Sequence, residues 1–227
     1  MSFFVSGKTI IFKTEAIKLL STMKKIFIPV TDEFKLPSVT ELIKDYKKIL
    51  ITSTIQFSAM IDKLKDLLKN HDITIIPPVL GCSKINTTAD AIIIITTGEF
   101  HAINIALRTG KPVFVIGPNG VKRISDKDIK DLQKKKAMMI SKVLDAKIIG
   151  VLLSTKPGQE HEEIANELIS KLKSKGKEAY LFVANELSPS QLNDFPVDAW
   201  INTACPRISE DEFDKPIVNH EDIKEHL

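Results

Sequence analysis

Residues 91–95, an alanine followed by four isoleucines, constrain the fold of this chain most strongly. A run that is apolar at every position and rich in β-branched residues presents apolar side chains to both faces of a sheet. This is typical of a central parallel strand, which helical crossovers cover on both sides. The run therefore predicts an α/β fold built around a parallel sheet.

Strand and helix patterns alternate along the chain and then start again. Strands are predicted over residues 47–54, 73–80, 91–95, 112–116, 147–153, 179–183 and 199–203, and helices over 57–69, 100–108, 125–144, 160–173 and 189–195. This order predicts two consecutive three-layer α/β/α units with mainly parallel sheets. The boundary is expected near residue 146, which separates a domain of residues 25–146 from a domain of residues 147–227. The N-terminal segment 1–24 has no clear role.

Four residues mark the expected ends of these elements. Pro77 and Pro78 interrupt the strand 73–80, so it should lie at a sheet margin or leave the sheet there. Gly110 is expected to cap the C-terminus of the helix that precedes it, and Ser125 the N-terminus of the helix that follows it.

The composition argues against several functional classes. The 227 residues carry 32 basic and 29 acidic side chains, for a net charge of +3, which gives little reason to expect nucleic-acid binding. No apolar run reaches the roughly 18 residues that span a bilayer, and the N-terminus lacks the pattern of a signal peptide. A cytoplasmic protein without membrane association is expected. Two cysteines are too few for a secreted disulfide framework, so they are expected to be free or metal-bound.

Both cysteines directly follow predicted strands. Cys82 comes after the strand 73–80, and Cys205 comes after the strand 199–203 and shortly before Arg207. In open parallel sheets, ligands collect at the carboxyl ends of the strands. A cysteine can also serve simply as a small buried apolar residue. The sequence therefore leaves two roles possible: buried packing of each cysteine, or a metal site that both thiols share. Two thiols alone do not complete a structural zinc site, which takes four ligands, or an iron–sulfur cluster with an open iron, which takes three cysteines.

The turn 154–159 (STKPGQ), between a predicted strand and a predicted helix, is a candidate anion site. Backbone N–H groups at the start of the following helix suit an anion or a carboxylate, and Lys156 adds charge. The turn lacks the spacing of a phosphate-binding P-loop, and an ordinary turn is the alternative. His101 occupies the same kind of turn in the first unit, where it is either a ligand or proton carrier or a solvated side chain.

Five segments carry a resemblance to a known family. They are residues 79–83 (VLGCS), 98–101 (GEFH), 109–113 (TGKPV), 150–159 (GVLLSTKPGQ) and 198–208 (DAWINTACPRI). Together they resemble the archaeal diphthamide synthase family, over residues 25–227. The segments that hold Lys156–Gln159 and Ala204–Arg207 are the most specific part of the resemblance.

The resemblance implies a chemistry and a set of site residues. In this family three similar α/β domains each give one cysteine to a 4Fe-4S cluster. The cluster reduces S-adenosylmethionine, and a 3-amino-3-carboxypropyl radical adds to a histidine of elongation factor 2. By resemblance, Cys82 and Cys205 are the cluster ligands of the second and third domains. The residues that match family motifs near the cofactor are Ser154, Lys156, Gln159 and Arg207, of which the last suits the methionine carboxylate.

The chain also departs from the family. The resemblance includes no first domain with its cysteine, and residues 1–24 are expected to resemble no family segment. The resemblance therefore implies the later part of the enzyme, active with a separate chain that supplies the third cysteine. Because relatives act as dimers, a dimer is expected.

Three functions follow from the sequence. The first is an enzyme subunit that transfers the 3-amino-3-carboxypropyl group with its partner chain. The second is a noncatalytic scaffold or partner subunit of the same pathway, and the third is an α/β protein that binds S-adenosylmethionine without a cluster. Replacement of Cys82 and Cys205 separates the first two, because a scaffold would not need either thiol.

Overall fold

A computed structural model of the chain describes residues 5–6, 9–10, 28 and 30–227. Strands β1 (Val5–Ser6) and β2 (Thr9–Ile10) pair antiparallel. The rest of the predicted segment 1–24 lies outside the described residues. The chain divides into two compact units, one of residues 26–132 and one that holds residues 133–227.

The first unit is built on a five-stranded sheet. Its elements are α1 (Thr40–Ile43), β3 (Lys48–Ser53), a 3-10 helix (Ile55–Phe57), α2 (Met60–Leu67), β4 (Asp72–Ile75), β5 (Ala91–Ile95), α3 (Phe100–Thr109), β6 (Val113–Gly117) and β7 (Gly120–Arg123). The strand order is β4-β3-β5-β6-β7, and every pair is parallel except β6 with β7. The prediction that this strand lies at the margin of the sheet is confirmed, because β4 is an edge strand and ends before Pro77 and Pro78.

The second unit is built on a four-stranded, fully parallel sheet in the order β11-β10-β8-β9. The elements from residue 126 onward are α4 (Asp126–Asp145), β8 (Ile148–Ser154), α5 (Glu162–Ser174), β9 (Glu178–Ala184), α6 (Pro189–Leu192), β10 (Ala199–Asn202), a 3-10 helix (Pro206–Glu210), β11 (Ile217–Asn219) and α7 (His220–Ile223). The compact units divide within α4. The domain boundary near residue 146 stays a prediction.

The central strand β5 is buried along its whole length. It pairs with β3 on one side and β6 on the other, as the isoleucine run predicts. Successive side chains of a strand point to opposite faces of the sheet. Ile93 accordingly packs in one apolar cluster with Leu64 of α2, whereas Ile94 packs in another with Ala102 of α3. The α/β/α layering is therefore confirmed in this unit.

The second sheet has the same two-faced core. Ile201 packs with Leu168 of α5, and the neighbouring Trp200 packs on the other face among aromatic side chains. The Trp200 and Phe182 rings meet edge to face, with centroids 4.8 Å apart. Gly150 of β8 makes room for the indole, because a Cβ at this position would overlap the Trp200 ring. A glycine inside a strand is therefore explained by the close approach of one aromatic ring.

The two units share a carboxylate contact at the start of their first strands. The Asp90 carboxylate accepts two successive backbone N–H groups at the start of β3, at 3.1 and 2.8 Å, and Asp198 does the same before and at the start of β8, at 3.0 and 2.8 Å. These bonds, chiefly the one from Lys48, lower the pKa of Asp90. In each unit this contact links the strand that follows the aspartate (β5 or β10) to its neighbour in the sheet (β3 or β8).

Helix α4 has the N-terminal cap that the sequence predicts. The Ser125 hydroxyl accepts the Asp128 N–H at 3.1 Å, and the Asp128 carboxylate accepts the Ser125 N–H at 3.1 Å, which forms a capping box. Gly110, with a φ of 65°, caps α3 as predicted. In the part of the chain that the structure describes, no helix combines the length and the apolar composition needed to cross a bilayer.

The structure adds several short elements that the sequence patterns did not predict, which are β1, β2, α1, the two 3-10 helices and three elements that end the two units. Strand β7 turns back antiparallel after β6, and β11 and α7 complete the second unit. All three have four residues or fewer, so none is long enough to show a clear hydrophobic period.

Candidate functional site

The candidate site residues of the second unit follow adjacent strands at one edge of its sheet. Strands β8 and β10 run parallel, with Leu152 opposite Asn202. Their carboxyl ends therefore lie at the same edge, where β8 leads into the turn 154–159 and β10 leads into Cys205. Arg207 follows in the 3-10 helix. The topology thus brings all five predicted residues of this unit to one sheet edge.

Cys205 is anchored through its backbone, and its thiol is free. Its carbonyl accepts hydrogen bonds from the Asn202 side-chain amide, at 2.9 Å, and from the Ile208 N–H, at 3.0 Å. The side chain is partly buried. The alternative of a fully buried apolar cysteine is therefore wrong for Cys205, and the sulfur remains available as a ligand.

Two buried asparagines hold the loop around Cys205, and the sequence analysis missed both. The Asn202 Nδ2 donates to Asn219 Oδ1 at 2.8 Å, and Asn202 Oδ1 accepts the Ala204 N–H at 3.0 Å. Asn219 Nδ2 in turn donates to Ser209 Oγ at 2.8 Å. Asparagines at the ends of two apolar strands were the available signal, because a buried amide needs polar partners.

The turn 154–159 is closed by its own hydrogen bonds. The buried Ser154 hydroxyl accepts the Lys156 N–H at 3.1 Å, and the Lys156 carbonyl accepts the Gln159 N–H at 3.0 Å. Gly158 has a φ of 76°, which favours glycine. Helix α5 begins at Glu162, two residues later than predicted. The helix N-terminus still follows the turn closely, and the anion site formed by its N–H groups with Lys156 stays a prediction.

Both candidate cations at this edge face carboxylates. Lys156 Nζ lies 2.7 Å from Glu186 Oε1, and Arg207 Nη1 lies 3.0 Å from Asp211 Oδ1. The Arg207 Nε lies 3.9 Å from Glu210, whose pKa is raised by burial. All of these pairs are partly exposed, and such pairs contribute little to stability. The Arg207 guanidinium therefore pairs with carboxylates through contacts that are exposed and weak.

Cys82 lies in a tight turn of the first unit, and its side chain is exposed and free. The Ser83 hydroxyl accepts the Leu80 N–H at 2.8 Å. Phe100, at the start of α3, packs on Gly81 so closely that a Cβ there would lie 2.9 Å from its Cζ atom. From the other end of α3, Arg108 Nη1 donates to the Cys82 carbonyl at 3.1 Å. The alternative of a buried apolar cysteine is therefore wrong for Cys82 as well.

His101 is half-buried in the first turn of α3. Its ring meets the Phe100 ring edge to face, with centroids 5.3 Å apart. Burial lowers the pKa of His101 from its usual value of 6.5. The imidazole is therefore mainly neutral at pH 7, so one ring nitrogen keeps a lone pair. The partial burial argues against the alternative of a fully solvated side chain.

The donor set fits part of an iron–sulfur site. Each unit holds one free cysteine that is not buried, and thiolates are the usual ligands of such clusters. Cys205 comes shortly after β10, but β4 ends at Ile75, so the prediction that Cys82 directly follows a strand is wrong. Among the described residues, no group of three or more histidine, cysteine, aspartate or glutamate side chains could hold a metal ion. The assignment of Cys82 and Cys205 as metal ligands stays a prediction.

Comparison with known proteins gives a family match. The family model described as "Putative diphthamide synthesis protein" matches residues 7–225. The chain is 31% identical to the 2-(3-amino-3-carboxypropyl)histidine synthase of Pyrococcus horikoshii, over 91% of this chain and 66% of that protein. It is 32% identical to the enzyme of the same name from Methanocaldococcus jannaschii, over 89% of this chain and 62% of that protein. The chain thus spans less than two thirds of the length of these relatives.

Solved structures share the fold. The crystal structure of Dph2 from Pyrococcus horikoshii matches with a TM-score of 0.74 and 27% identity, over 86% of this chain and 68% of that one. The structure of the same protein with a 4Fe-4S cluster matches with a TM-score of 0.72. The family match begins at residue 7, so the expectation that residues 1–24 resemble no family segment is wrong for most of that segment.

Proposed function

The chain belongs to the diphthamide synthesis family, and from that premise we propose that it is a subunit or split part of the diphthamide-forming enzyme. The reaction transfers a 3-amino-3-carboxypropyl group from S-adenosylmethionine to a histidine of elongation factor 2. The relatives named 2-(3-amino-3-carboxypropyl)histidine synthase support this transfer. The place of action is the cytoplasm, where the translation factor is found.

One observation carries the proposal. Each unit holds a free cysteine that is not buried and lies in a loop after a strand of its sheet, and the carbonyl of each is anchored by a side chain of the same unit. A cysteine that serves only as core packing would be buried. In both units the backbone is fixed while the sulfur stays open, which suits a ligand.

Cys82 and Cys205 would hold two irons of a 4Fe-4S cluster. A separate chain would supply the third cysteine, and the iron that no cysteine holds would be open to S-adenosylmethionine. When bound and reduced, the cluster supplies the electron that breaks a carbon–sulfur bond of S-adenosylmethionine and yields a 3-amino-3-carboxypropyl radical. The structure of Dph2 with a 4Fe-4S cluster supports this assignment.

The second unit would bind S-adenosylmethionine at the carboxyl edge of its sheet. The Arg207 guanidinium would exchange Asp211 for the methionine carboxylate, since a planar fork pairs with a carboxylate through two hydrogen bonds. In the same way, Lys156 would give up its ion pair with Glu186 to contact S-adenosylmethionine. Ser154 shapes the turn through its bond to the Lys156 N–H, and Gln159 offers an amide at the end of that turn.

The proposal is tested by co-expression with candidate partner chains and anaerobic analysis of iron and sulfide. We expect a partner to raise cluster occupancy above that of this chain alone. Cys82→Ala and Cys205→Ala should each lower the iron content severalfold and abolish transfer to elongation factor 2. Thr97→Ala, at an exposed position shortly after β5 in the same unit as Cys82, is the matched control. No gain in occupancy with any partner would contradict the proposal.

A noncatalytic partner subunit is the second candidate function. It is favoured by a relative from Kluyveromyces lactis, 30% identical, whose name, 2-(3-amino-3-carboxypropyl)histidine synthase subunit 1, describes one subunit of a larger enzyme. Unchanged diphthamide formation with both cysteines replaced would establish this role. A colourless reconstituted complex that still binds S-adenosylmethionine would instead indicate binding without a cluster. Size measurement of the complex tests the expected dimer.

A further inference from the structure

The carbonyls of the two candidate ligand cysteines are held in a similar way, although they lie in separate units. The Cys205 carbonyl accepts the Asn202 Nδ2 at 2.9 Å. The Cys82 carbonyl accepts the Arg108 Nη1 at 3.1 Å, and the same nitrogen lies 3.4 Å from the Ser83 carbonyl. In each case the donor is a side chain and the acceptor is the backbone of the cysteine.

A bond to the carbonyl fixes the cysteine without occupying its sulfur. Ordering a backbone residue costs conformational entropy, and a ligand loop that is already ordered avoids this cost when the metal group binds. A donor on the carbonyl restricts the backbone of the cysteine and leaves the thiol free for a metal. The same arrangement in two units points to a common role.

We propose that Arg108 and Asn202 are positioning residues, which orient Cys82 and Cys205 for cluster binding by holding their backbone carbonyls. The inference rests on the proposed function, because it takes both cysteines as ligands. Both side chains bond the cysteine carbonyl and not the sulfur, so each acts through the cysteine that it holds.

The two donors differ in burial. Asn202 is 1% exposed and also bonds Asn219 and the Ala204 N–H. Its removal leaves several buried polar groups without partners and could unfold the second unit. Arg108 is exposed on α3, so its replacement should leave the fold intact. Arg108 therefore gives the decisive variant, and Asn202 gives the parallel one.

The experiment uses the full chain with three variants. Arg108→Met keeps much of the aliphatic stem and removes the donors, Arg108→Lys keeps a donor and the charge, and Asn202→Ala removes the amide. Hydrogen–deuterium exchange of the peptides around residues 80–84 and 203–209 measures local order without a cluster. With the partner chain and an anaerobically reconstituted cluster, the electron paramagnetic resonance spectrum and the midpoint potential report ligand geometry.

Arg108→Met should speed exchange near Cys82 by about two- to tenfold, the range that corresponds to one net hydrogen bond, and should leave exchange near Cys205 unchanged. Asn202→Ala should show the reverse. The spectrum and the potential should shift in both variants at unchanged iron content, and Arg108→Lys should restore the native values in part.

The proposal is overturned if Arg108→Met leaves exchange near Cys82 unchanged. It is also overturned if both peptides loosen together, or if local loosening leaves the spectrum and the potential of the cluster unchanged. Failure of the native chain to take up any cluster with a partner would overturn the proposed function. That outcome is seen in the native chain and is distinct from a failure seen only in the variants.

Discussion

Asn202 and Asn219 hydrogen-bond each other through their side-chain amides, Nδ2 to Oδ1, at 2.8 Å. They stand at the ends of the parallel neighbours β10 and β11, directly opposite in register. Both are nearly inaccessible to solvent, with 1% and 8% of their surface exposed. Through their remaining donors and acceptors they fix the loop that carries Cys205. The pair thus links the end of the sheet to the candidate ligand.

Asn219→Ala should destabilise the protein by about 1–3 kcal/mol. The substitution removes the acceptor of Asn202 and the donor to Ser209 Oγ, and buried groups that lose a partner carry that cost. Urea unfolding followed by circular dichroism measures the change. Asn166→Ala, at an exposed position of α5, is the matched control and should stay within about 0.5 kcal/mol of the native protein. Equal midpoints for the two variants would refute a stabilising role of the amide pair.

Gly150→Ala should cost about 1–3 kcal/mol, because the new methyl group would overlap the buried Trp200 ring and force it to move. Gly98→Ala is the control, since a Cβ at Gly98 meets no other atom within 4 Å. Thermal unfolding and the near-ultraviolet signal of the single tryptophan report both stability and ring packing. A native-like melting temperature and tryptophan signal in Gly150→Ala would show that the contact is not tight.

The fold was predictable where hydrophobic patterns were long. The strand Ala91–Ile95 showed its place at the centre of the sheet because every residue is apolar, and Ser125 showed the start of α4 because capping chemistry is local. Strand β11, with three residues, carries too little pattern to be found. Its position depends on pairing with β10, which only the folded chain reveals.

The sequence predicted which residue types form the candidate site, but it did not predict the hydrogen bonds that hold them. The sequence pattern correctly placed Cys205 shortly after a strand of the second sheet, but β4 ends at Ile75, well before Cys82, because two prolines follow it. The donors that hold their carbonyls, Arg108 and Asn202, follow from tertiary packing. Arg108 is far from Cys82 in sequence, so no local pattern connects the two residues.

The half-buried His101 should make stability depend on pH below about 6.5. Burial lowers its pKa, so the unfolded chain binds this proton more readily than the folded chain. Stability is therefore unaffected above the unfolded pKa and falls as the pH drops from there towards the folded pKa. The slope from this residue cannot exceed about 1.4 kcal/mol per pH unit. Urea unfolding of the native protein and of His101→Gln from about pH 5 to about pH 8 should show a shallower decline in the variant. Parallel curves would contradict the assignment.

Asp211→Asn should strengthen binding of S-adenosylmethionine if Arg207 takes its carboxylate. In the structure the guanidinium is paired with Asp211 at 3.0 Å, and an incoming carboxylate has to replace this contact. Exposed pairs of this kind contribute about 0–1 kcal/mol, so the gain should be up to about fivefold in Kd. Arg207→Lys keeps the charge but loses the planar fork, and it should weaken binding. Anaerobic isothermal titration calorimetry of the complex with its partner measures both changes.

Asp214→Asn removes an equal charge at an exposed position of the same loop and should leave Kd unchanged. Weaker binding by Asp211→Asn, or equal binding by Arg207→Lys, would show that the carboxylate is held by another residue.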